Sequence, residues 1–394
     1  MRHLFLAPLA SAYGELLQGI RLAEGLHRAG HEVVVLAPAR LHALVESAPV
    51  TFGRIDLALP HLDEQMAGLI ARLRCDTLVL VDAAAVGKVV GALHLDALAF
   101  TQPSVPVLAL DCWNLPATPL PWDYGPRSET LRPEFHQLRR RLVPVPVGPP
   151  DAAGAYNALP AVVATDRQRV RGELGLSADD RLILWPSAGW QHVENQTDPR
   201  LGRLAAGLPA LILPHLAALG GRVKVLHVGP LPYAPDGTPG HRFQPQVAPR
   251  RFEELVAAAD LLLGFNAVAT SLATAVAAGV PILLGMTELQ ASTLEEAKGF
   301  SPSVRAWIAA HLPLPRLRAW PLSLDGFLSP ALAGNPLYRA LRVADPLDED
   351  GFIAACRELL FDEAAAAALR HREEQYRQQV ASLPSATERF LSLL

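Results

Sequence analysis

The hydrophobic positions of this chain alternate between short apolar runs and longer stretches in which apolar residues recur every three or four positions. Apolar runs predict strands at residues 3–7, 32–36, 55–57, 77–81 and 105–110. Helical spacing is found between them, at residues 15–29, 41–46 and 64–73, and Gly30 ends the first of these helices. Strands that alternate with helices in this way predict a doubly wound parallel sheet.

A second series of the same kind follows a proline-rich region. Between residues 111 and 160 prolines are interleaved with tryptophans and tyrosines, so regular structure there must be short. The second series is predicted to contain a helix at 165–175 and strands at 182–186, 223–228, 261–263 and 282–284. The pattern therefore predicts an α/β fold with Rossmann-like domains at 1–165 and 166–370, and a helical tail at 371–394 for which we consider packing against the first domain.

Residues 252–285 carry the most informative pattern of the second series. An apolar strand at 261–263 runs into a tight turn at 264–266, a small-residue helix is predicted at 267–278, and Gly279 with Pro281 ends that helix. Asn266 is suited to cap the helix, and Thr270 and Ser271 fall in its first turn or just after. Free backbone amides and the helix dipole favour an anion there, and a nucleotide diphosphate would fit.

Two other interpretations of this segment stay open. No charged residue occurs between Asp260 and Glu288, which is long enough to suggest a membrane span. However, glycine, asparagine and proline divide the run into pieces too short to cross a bilayer. An ordinary core helix without any ligand is equally compatible with the pattern.

Composition limits the classes of function. The chain has 394 residues, of which 50% are hydrophobic, so it can bury two cores. Its 35 basic and 39 acidic residues give a net charge of −4, which does not indicate a nucleic acid or an anionic membrane as partner. The basic cluster at 139–141 is interpreted as a solvated helix end.

The cysteines and the N-terminus bear on the compartment. Cys75, Cys112 and Cys356 lie far apart without the spacing of a zinc site, and we interpret them as reduced core residues of a cytoplasmic protein. The first fourteen residues imitate a signal peptide, but their apolar run is very short and is needed as the first strand.

Several phrases of the sequence resemble the GT-B glycosyltransferases over nearly the whole chain. Gly14 and Glu15 precede a helix that ends in a Leu-x-x-x-Gly-His-x-Val phrase at 26–33, residues 174–189 are similar to the family's entry into its C-terminal domain, and residues 241–281 to its donor-site approach. The resemblance implies two Rossmann-like domains that face each other across a cleft, with the acceptor on the first and a nucleotide-sugar on the second. It also implies a UDP- or dTDP-linked sugar as co-substrate, and no other cofactor.

The chain departs from the family pattern at the positions that carry chemistry. Glu15 stands where many members have histidine, and Asn266 where the donor motif has a His-Gly pair. Thr274 replaces the glutamate that holds the ribose, which removes a charge-assisted hydrogen bond of about 1.5–3 kcal/mol. We predict Glu15 as the general base, although a first-turn carboxylate is also favoured by the helix dipole alone.

The remaining candidate residues follow strands or lie in the proline-rich region. Ser187 and Gly189 are predicted to approach the phosphates, Gln290 to bind sugar hydroxyls, and Trp113, Trp122 and Tyr124 to line an acceptor pocket or to anchor a loop. His192 and His241 are interpreted as surface histidines near strand ends. Asp179 and Asp180 precede a strand and form a solvated turn, so no metal site is predicted.

The sequence therefore predicts a cytoplasmic GT-B-type glycosyltransferase, inverting and metal-independent, that acts on a small molecule or a natural product. A sugar-nucleotide epimerase on the same architecture is one alternative, but it needs carboxylates from both domains, and no convincing second set was identified. A catalytically inactive binding or scaffold protein is the other. We predict no nucleic-acid partner and no membrane span.

Overall fold

Two parallel β-sheets, each covered by helices, organise the computed structural model of this chain. It describes residues 1–9, 13–46, 48–55, 61–117, 122–123, 128–129, 132–162, 164–192, 199–323 and 325–394. The chain divides into two units: unit 1 comprises Met1–Trp122, Glu129–Ala158 and Gln379–Leu394, and unit 2 is principally Leu159–Gln378.

The strands belong to two large sheets and one short hairpin. In chain order they are β1 (Arg2–Leu6), β2 (Glu32–Ala37), β3 (Thr51–Arg54), β4 (Thr77–Val81), β5 (Val107–Leu110), β6 (Trp122–Asp123), β7 (Ser128–Glu129), β8 (Arg141–Val145), β9 (Ala155–Asn157), β10 (Arg181–Pro186), β11 (Val223–Gly229), β12 (His241–Pro245), β13 (Leu261–Gly264), β14 (Ile282–Gly285) and β15 (Arg342–Ala344). Strands β6 and β7 pair with each other.

The helices follow the strands in the alternating order that the sequence predicts. They are α1 (Tyr13–Arg28), α2 (His42–Val45), α3 (Leu62–Leu73), α4 (Ala83–Ala92), α5 (Leu98–Thr101), α6 (Pro133–His136), α7 (Arg167–Glu173), α8 (Gly189–His192), α9 (Pro199–Ala217), α10 (Pro249–Ala258), α11 (Thr270–Ala278), α12 (Pro302–His311), α13 (Asp325–Leu332), α14 (Glu349–Phe361), α15 (Glu363–Ala381) and α16 (Ala386–Ser392). Short 3₁₀ turns occur at Ala39–Leu41, Leu115–Ala117, Leu294–Ala297 and Pro336–Arg339.

Both sheets have the strand order of doubly wound α/β domains. In unit 1 the order is β3-β2-β1-β4-β5-β8-β9, and in unit 2 it is β12-β11-β10-β13-β14-β15. The pairings described within these two sheets are parallel. The order reverses between β1 and β4 in unit 1 and between β10 and β13 in unit 2. Ligands of this fold bind outside the carboxyl ends of the strands at such a reversal.

Central strands are buried on both faces, which explains their continuous apolar runs. All five residues of β4 are buried, and so are all four of β13. In unit 2, Trp185, Phe265 and Phe352 pack with apolar residues of α9, α12 and α14 into one core. Helix α9 contacts both α12 and α14, and α10 contacts α11.

Some predicted boundaries differ from the structure. The sequence predicts a strand at 55–57, but the strand β3 is Thr51–Arg54. Residues 56–60 lie outside the described part of the chain. Helices α4 and α9 were not predicted, because the alanine run of α4 and the two internal prolines of α9 hide their periodicity. Asp82 caps α4 by accepting hydrogen bonds from the amides of Ala84 and Ala85.

The three cysteines are free and buried. Within the described residues, no helix combines the length and the apolar composition needed to cross a membrane.

Candidate functional site

The carboxyl edge of the unit 2 sheet brings several predicted residues to one place in the topology. Ser187 directly follows β10, and Asn266 follows β13, the neighbouring strand on the other side of the order reversal. Gln191 of α8 donates from Nε2 to the Trp320 carbonyl at 3.0 Å, and the Trp320 amide donates to the Phe265 carbonyl at 2.9 Å. This chain of bonds ties the turn after β10 to the turn after β13.

The turn before α11 is built differently from the sequence prediction. The helix begins at Thr270, three residues later than predicted, and Ala269 is its N-cap residue without a side-chain bond. The prediction that Asn266 caps the helix is therefore wrong. Instead, Asn266 Oδ1 accepts from the Val268 amide at 3.1 Å, which closes an Asx turn that leads into the helix.

The small side chains of α11 divide into a part-exposed pair and a buried position. Thr270 and Ser271 occupy the first helical turn and are half-buried. Their hydroxyls make no hydrogen bond to another described residue. Thr274 is buried, with 6% of its surface exposed, and its hydroxyl donates to the Thr270 carbonyl at 3.4 Å. The first turn thus offers amides and hydroxyls to an anion, whereas Thr274 supports the helix.

A ring of polar side chains surrounds the Ser187 hydroxyl. Ser187 Oγ lies 2.7 Å from His227 Nε2 and 2.8 Å from His192 Nε2. The Tyr233 ring stacks on His227 with centroids 4.1 Å apart, and on His192 at 4.7 Å. His227 lies within β11, two residues before its end, and His192 is the last residue of α8. We call Ser187, His192, His227 and Tyr233 the Ser187 cluster.

Burial keeps the rings of the Ser187 cluster uncharged. It lowers the pKa of His192 to about 4, and burial together with the neighbouring His192 lowers the pKa of His227 to about 3. Burial also raises the pKa of the Tyr233 hydroxyl. Near neutral pH both imidazoles are therefore hydrogen-bonding groups without charge.

Of the two glycines near Ser187, only Gly229 allows the chain to approach its hydroxyl closely. A Cβ at Gly229 would overlap the Ser187 hydroxyl and would lie 2.9 Å from His227 Nε2. A Cβ at Gly189 would meet nothing within 4 Å, so this position has room but does not demand glycine. Gly229 was not among the predicted residues, because its need for glycine depends on Ser187, which lies forty-two positions away in the chain.

Gln290 lies in a separate recess of unit 2. The backbone around it is fixed by Ala291, which exchanges two hydrogen bonds with Leu314 at 2.9 and 2.7 Å. Its exposed side chain lines a depression of about 250 Å³ together with Arg203, Ser292 and His311. The structure thus places Gln290 in a recess of mixed polar and apolar lining, to which the other predicted donor residues do not contribute.

Carboxylates gather at the carboxyl edge of the unit 1 sheet. Glu15 lies in the first turn of α1 and is half-buried, Asp82 directly follows β4, and Asp111 directly follows β5. Burial, together with the nearby charges of Asp82, Glu15 and Asp111, raises the pKa of the buried Cys112 thiol. Burial raises the pKa of Asp82 and of Asp111 to about 6 each, against opposing hydrogen bonds and, for Asp111, the Arg141 guanidinium.

Asp82 has an unusual backbone conformation. Its φ of 62° and ψ of 92° lie outside the regions that side-chain-bearing residues ordinarily occupy. Such strain persists only where the surroundings hold it, and it is concentrated at functional sites. Asp82 is 4% exposed, and both of its oxygens are bonded.

The aromatic residues predicted for an acceptor pocket have different outcomes. The Trp113 indole donates from Nε1 to Asp82 Oδ2 at 3.3 Å, and its amide donates to Asp111 Oδ1 at 3.3 Å, so it anchors the loop after β5 while its ring is part-exposed. The Trp122 side chain and all of Tyr124 lie outside the described residues.

Asp82, His227 and Tyr233 were missed by the sequence reasoning. A signal exists for Asp82, because an aspartate that ends a wholly apolar strand marks the carboxyl edge of a sheet. His227 lies within the strand VKVLHVG rather than after it, and neither it nor Tyr233 has a comparable signal. His241, for which the sequence predicts a position near a strand end, is the first residue of β12. The described residues contain no group of three or more metal-ligating side chains suited to an ion.

Comparison with known families gives one match that spans most of the chain. Residues 22–394 match the model of a family of unknown function, DUF6365. The chain belongs to this family. No curated protein sequence matches this DUF6365 member.

Solved structures establish the fold class of this DUF6365 protein. The rhamnosyltransferase SpnG complexed with thymidine diphosphate aligns with a TM-score of 0.55 at 18% identity, covering 100% of both chains. SnogD, a glycosyltransferase from Streptomyces nogalater, aligns at 0.54 and 15% identity over 100% of this chain and 98% of its own. Anabaena HepE in complex with UDP and glucose aligns at 0.57 and 12%, with the same two coverages. The chain has the GT-B fold of glycosyltransferases, as the sequence resemblance predicted.

Proposed function

We propose that this protein is a glycosyltransferase that moves a sugar from a nucleotide diphosphate to a small-molecule acceptor, by inversion and without a metal. The observation that carries the proposal is the first turn of α11. Within a GT-B fold, the part-exposed Thr270 and Ser271 and the amides of this turn lie at the order reversal of the unit 2 sheet.

The donor diphosphate is proposed to bind at this turn. Ser187 and Gly189 contribute from the turn after β10, while Asn266 shapes the Asx turn that presents the helix. The structure favours a structural role for Thr274, since its buried hydroxyl is bonded to Thr270, so ribose recognition must use other groups. Gln290 and its recess are the proposed contact for the sugar hydroxyls.

Glu15 is the proposed general base. Its position in the first turn of α1, at the carboxyl edge of the unit 1 sheet, is where an acceptor would bind in this fold. Asp82 and Asp111 lie at the same edge, and their raised pKa values of about 6 show how strongly burial acts on carboxyls there. A carboxylate placed there can accept the proton of an acceptor hydroxyl.

The acceptor is proposed to be a small molecule or natural product that contacts the part-exposed ring of Trp113. We also propose a cytoplasmic location, because three free, buried cysteines suit a reducing compartment. The neighbours SpnG and HepE, whose structures hold thymidine diphosphate and UDP, support a dTDP- or UDP-linked donor.

A nucleotide-sugar panel tests this function. Thermal unfolding is measured with UDP-, dTDP- and GDP-linked sugars, and at least one donor is expected to raise Tm, since a ligand at 100 times its Kd stabilises by about 2.7 kcal/mol. Glu15→Gln should retain the Tm shift and lose sugar transfer by 100-fold or more. Wild-type turnover in this variant would reject Glu15 as the base, and donor binding without any transfer by the native chain would favour the inactive binding protein.

A further inference from the structure

None of the residues proposed to bind the diphosphate carries a positive charge. Ser187, Gly189, Asn266, Thr270 and Ser271 are all neutral, whereas a nucleoside diphosphate brings at least two negative charges. The backbone of Arg318 pairs with this turn, since its carbonyl accepts from the Ala267 amide at 3.0 Å. Its guanidinium, however, is engaged by Glu288 at 2.9 Å and Asp325 at 3.3 Å.

The Ser187 cluster has a defined direction of hydrogen bonding. His227 is 4% exposed, and its Nδ1 has no hydrogen-bond partner among the described residues. A buried, unpaired N–H costs more than an unpaired ring nitrogen without hydrogen, so the proton of His227 belongs on Nε2, which donates to Ser187 Oγ. The Tyr233 hydroxyl also bonds to Ser187 and can donate to it, so the single Ser187 proton can go to His192 Nε2, which leaves the His192 proton on Nδ1.

His192 is the part-exposed histidine of the cluster, since His227 is buried. It is half-buried rather than buried, it ends α8, and the preceding Gln191 is bonded to the Trp320 segment that also pairs with Phe265. α8 is thereby tied to the turn that leads into α11.

We propose that the Ser187 cluster is a proton-linked element of the diphosphate site, in which His192 takes up a proton as the anion binds and donates a hydrogen bond to it. This inference rests on the proposed function. The imidazole stays neutral in the free protein and becomes a cation only when the diphosphate is present. The site then supplies a positive charge to the leaving diphosphate without holding a buried charge beforehand.

Proton uptake by His192 makes the affinity for the diphosphate depend on pH. Burial alone lowers the pKa of His192 to about 4 in the free protein, and no charged side chain of the described residues contributes to that shift. The titratable groups that the described structure packs against it are His227 on β11 and Tyr233 in the following loop. A bound diphosphate favours the protonated form, so affinity must increase as the pH falls from 8 toward 5.5.

Calorimetric titration with UDP and with dTDP tests the inference. Titrations in buffers of different ionisation enthalpy give the number of protons taken up, and titrations from pH 5.5 to 8.5 give the pH slope of the affinity. His192→Gln keeps a hydrogen-bonding side chain that cannot be protonated, and His61→Gln, at an exposed histidine of unit 1, is the matched control. The ligand's own titration is common to all three proteins and cancels in the comparison.

On binding, wild type and His61→Gln are expected to take up as much as one proton more than His192→Gln does. For each unit by which the pH falls, their affinity should rise by as much as tenfold more than that of His192→Gln. Ser187→Ala, which removes the hydroxyl that joins His227 to His192, should also change the proton uptake. Equal uptake and equal slopes in wild type and His192→Gln would overturn the inference and leave the proposed function standing. Absence of UDP and dTDP binding by the wild type at every pH would overturn both.

Discussion

The Trp113 indole nitrogen lies 3.3 Å from Asp82 Oδ2, which joins the ends of β4 and β5 in unit 1. The other oxygen of Asp82 accepts from the amides of Ala84 and Ala85 at 3.0 and 3.1 Å, so one carboxylate both begins α4 and fixes the loop that follows β5. This explains why an aspartate is held at a φ of 62°.

Asp82→Ala is expected to lower the free energy of unfolding by about 2–4 kcal/mol. Loss of the N-cap accounts for about 1 kcal/mol, and the indole N–H left without its partner for about 1–3 kcal/mol. Asp166→Ala, at an N-cap with an ordinary φ of −74° that bonds one amide, is the matched control and should cost about 1 kcal/mol. Urea unfolding monitored by circular dichroism measures both, and equal losses in the two variants would reject the bridging role of Asp82.

Gly229→Ala is expected to disrupt the Ser187 cluster. The added methyl group would overlap the Ser187 hydroxyl, so the chain must shift at a cost of about 1–3 kcal/mol, and nucleotide affinity should fall with it. Gly221→Ala, where a Cβ meets nothing within 4 Å, is the control and should bind as wild type does. If Tm and UDP affinity were unchanged in Gly229→Ala, the close packing around Ser187 would be disproved.

Stability is expected to fall with rising pH because of Glu373 in α15. This side chain is fully buried, and burial raises its pKa to about 8 against the opposing charges of Arg377 and Arg370. Because the pKa of Glu373 is higher in the folded than in the unfolded chain, its stabilising contribution is complete below about pH 4.3. This contribution is lost as the pH rises through 8.

Glu373→Gln should therefore melt at a higher temperature relative to wild type at pH 9 than at pH 5. Glu363→Gln, at a 90% exposed carboxylate of the same helix, should follow the wild-type pH profile. A Tm difference between Glu373→Gln and wild type that is the same at pH 5, 7 and 9 would show that Glu373 does not titrate in this range.

Thr274→Val is expected to leave donor affinity within about threefold of wild type. Its hydroxyl is buried and bonded to the Thr270 carbonyl, so a side chain of the same shape replaces it without touching a ligand. Thr270→Ala should weaken binding more, because it removes a part-exposed hydroxyl from the proposed anion site. Fluorescence or calorimetric titration with UDP compares the affinities of the two variants. A larger loss of affinity in Thr274→Val than in Thr270→Ala would show that Thr274 contributes to ribose binding.

The sequence predicted the architecture better than the site. Alternation of apolar runs and helical spacing is a local property, so strands such as β4 and β10 and the two Rossmann-like sheets could be inferred from it. The turn after β13 was predicted in place but not in detail, since the Asx turn of Asn266 delays the helix until Thr270. The Ser187 cluster depends on contacts between residues 187, 192, 227 and 233, and no local pattern encodes the register that joins β10 to β11.

Binding of a nucleoside diphosphate to wild type and to Ser271→Asp tests the central claim most directly. An aspartate in the first turn of α11 suits the helix dipole, so the variant should fold with an unchanged or higher Tm, yet its charge opposes a diphosphate. We predict that wild type binds UDP or dTDP, that Ser271→Asp binds at least tenfold more weakly, and that Ser382→Asp at an exposed site binds as wild type does. Equal affinity in wild type and Ser271→Asp, or no binding by wild type, would contradict the account.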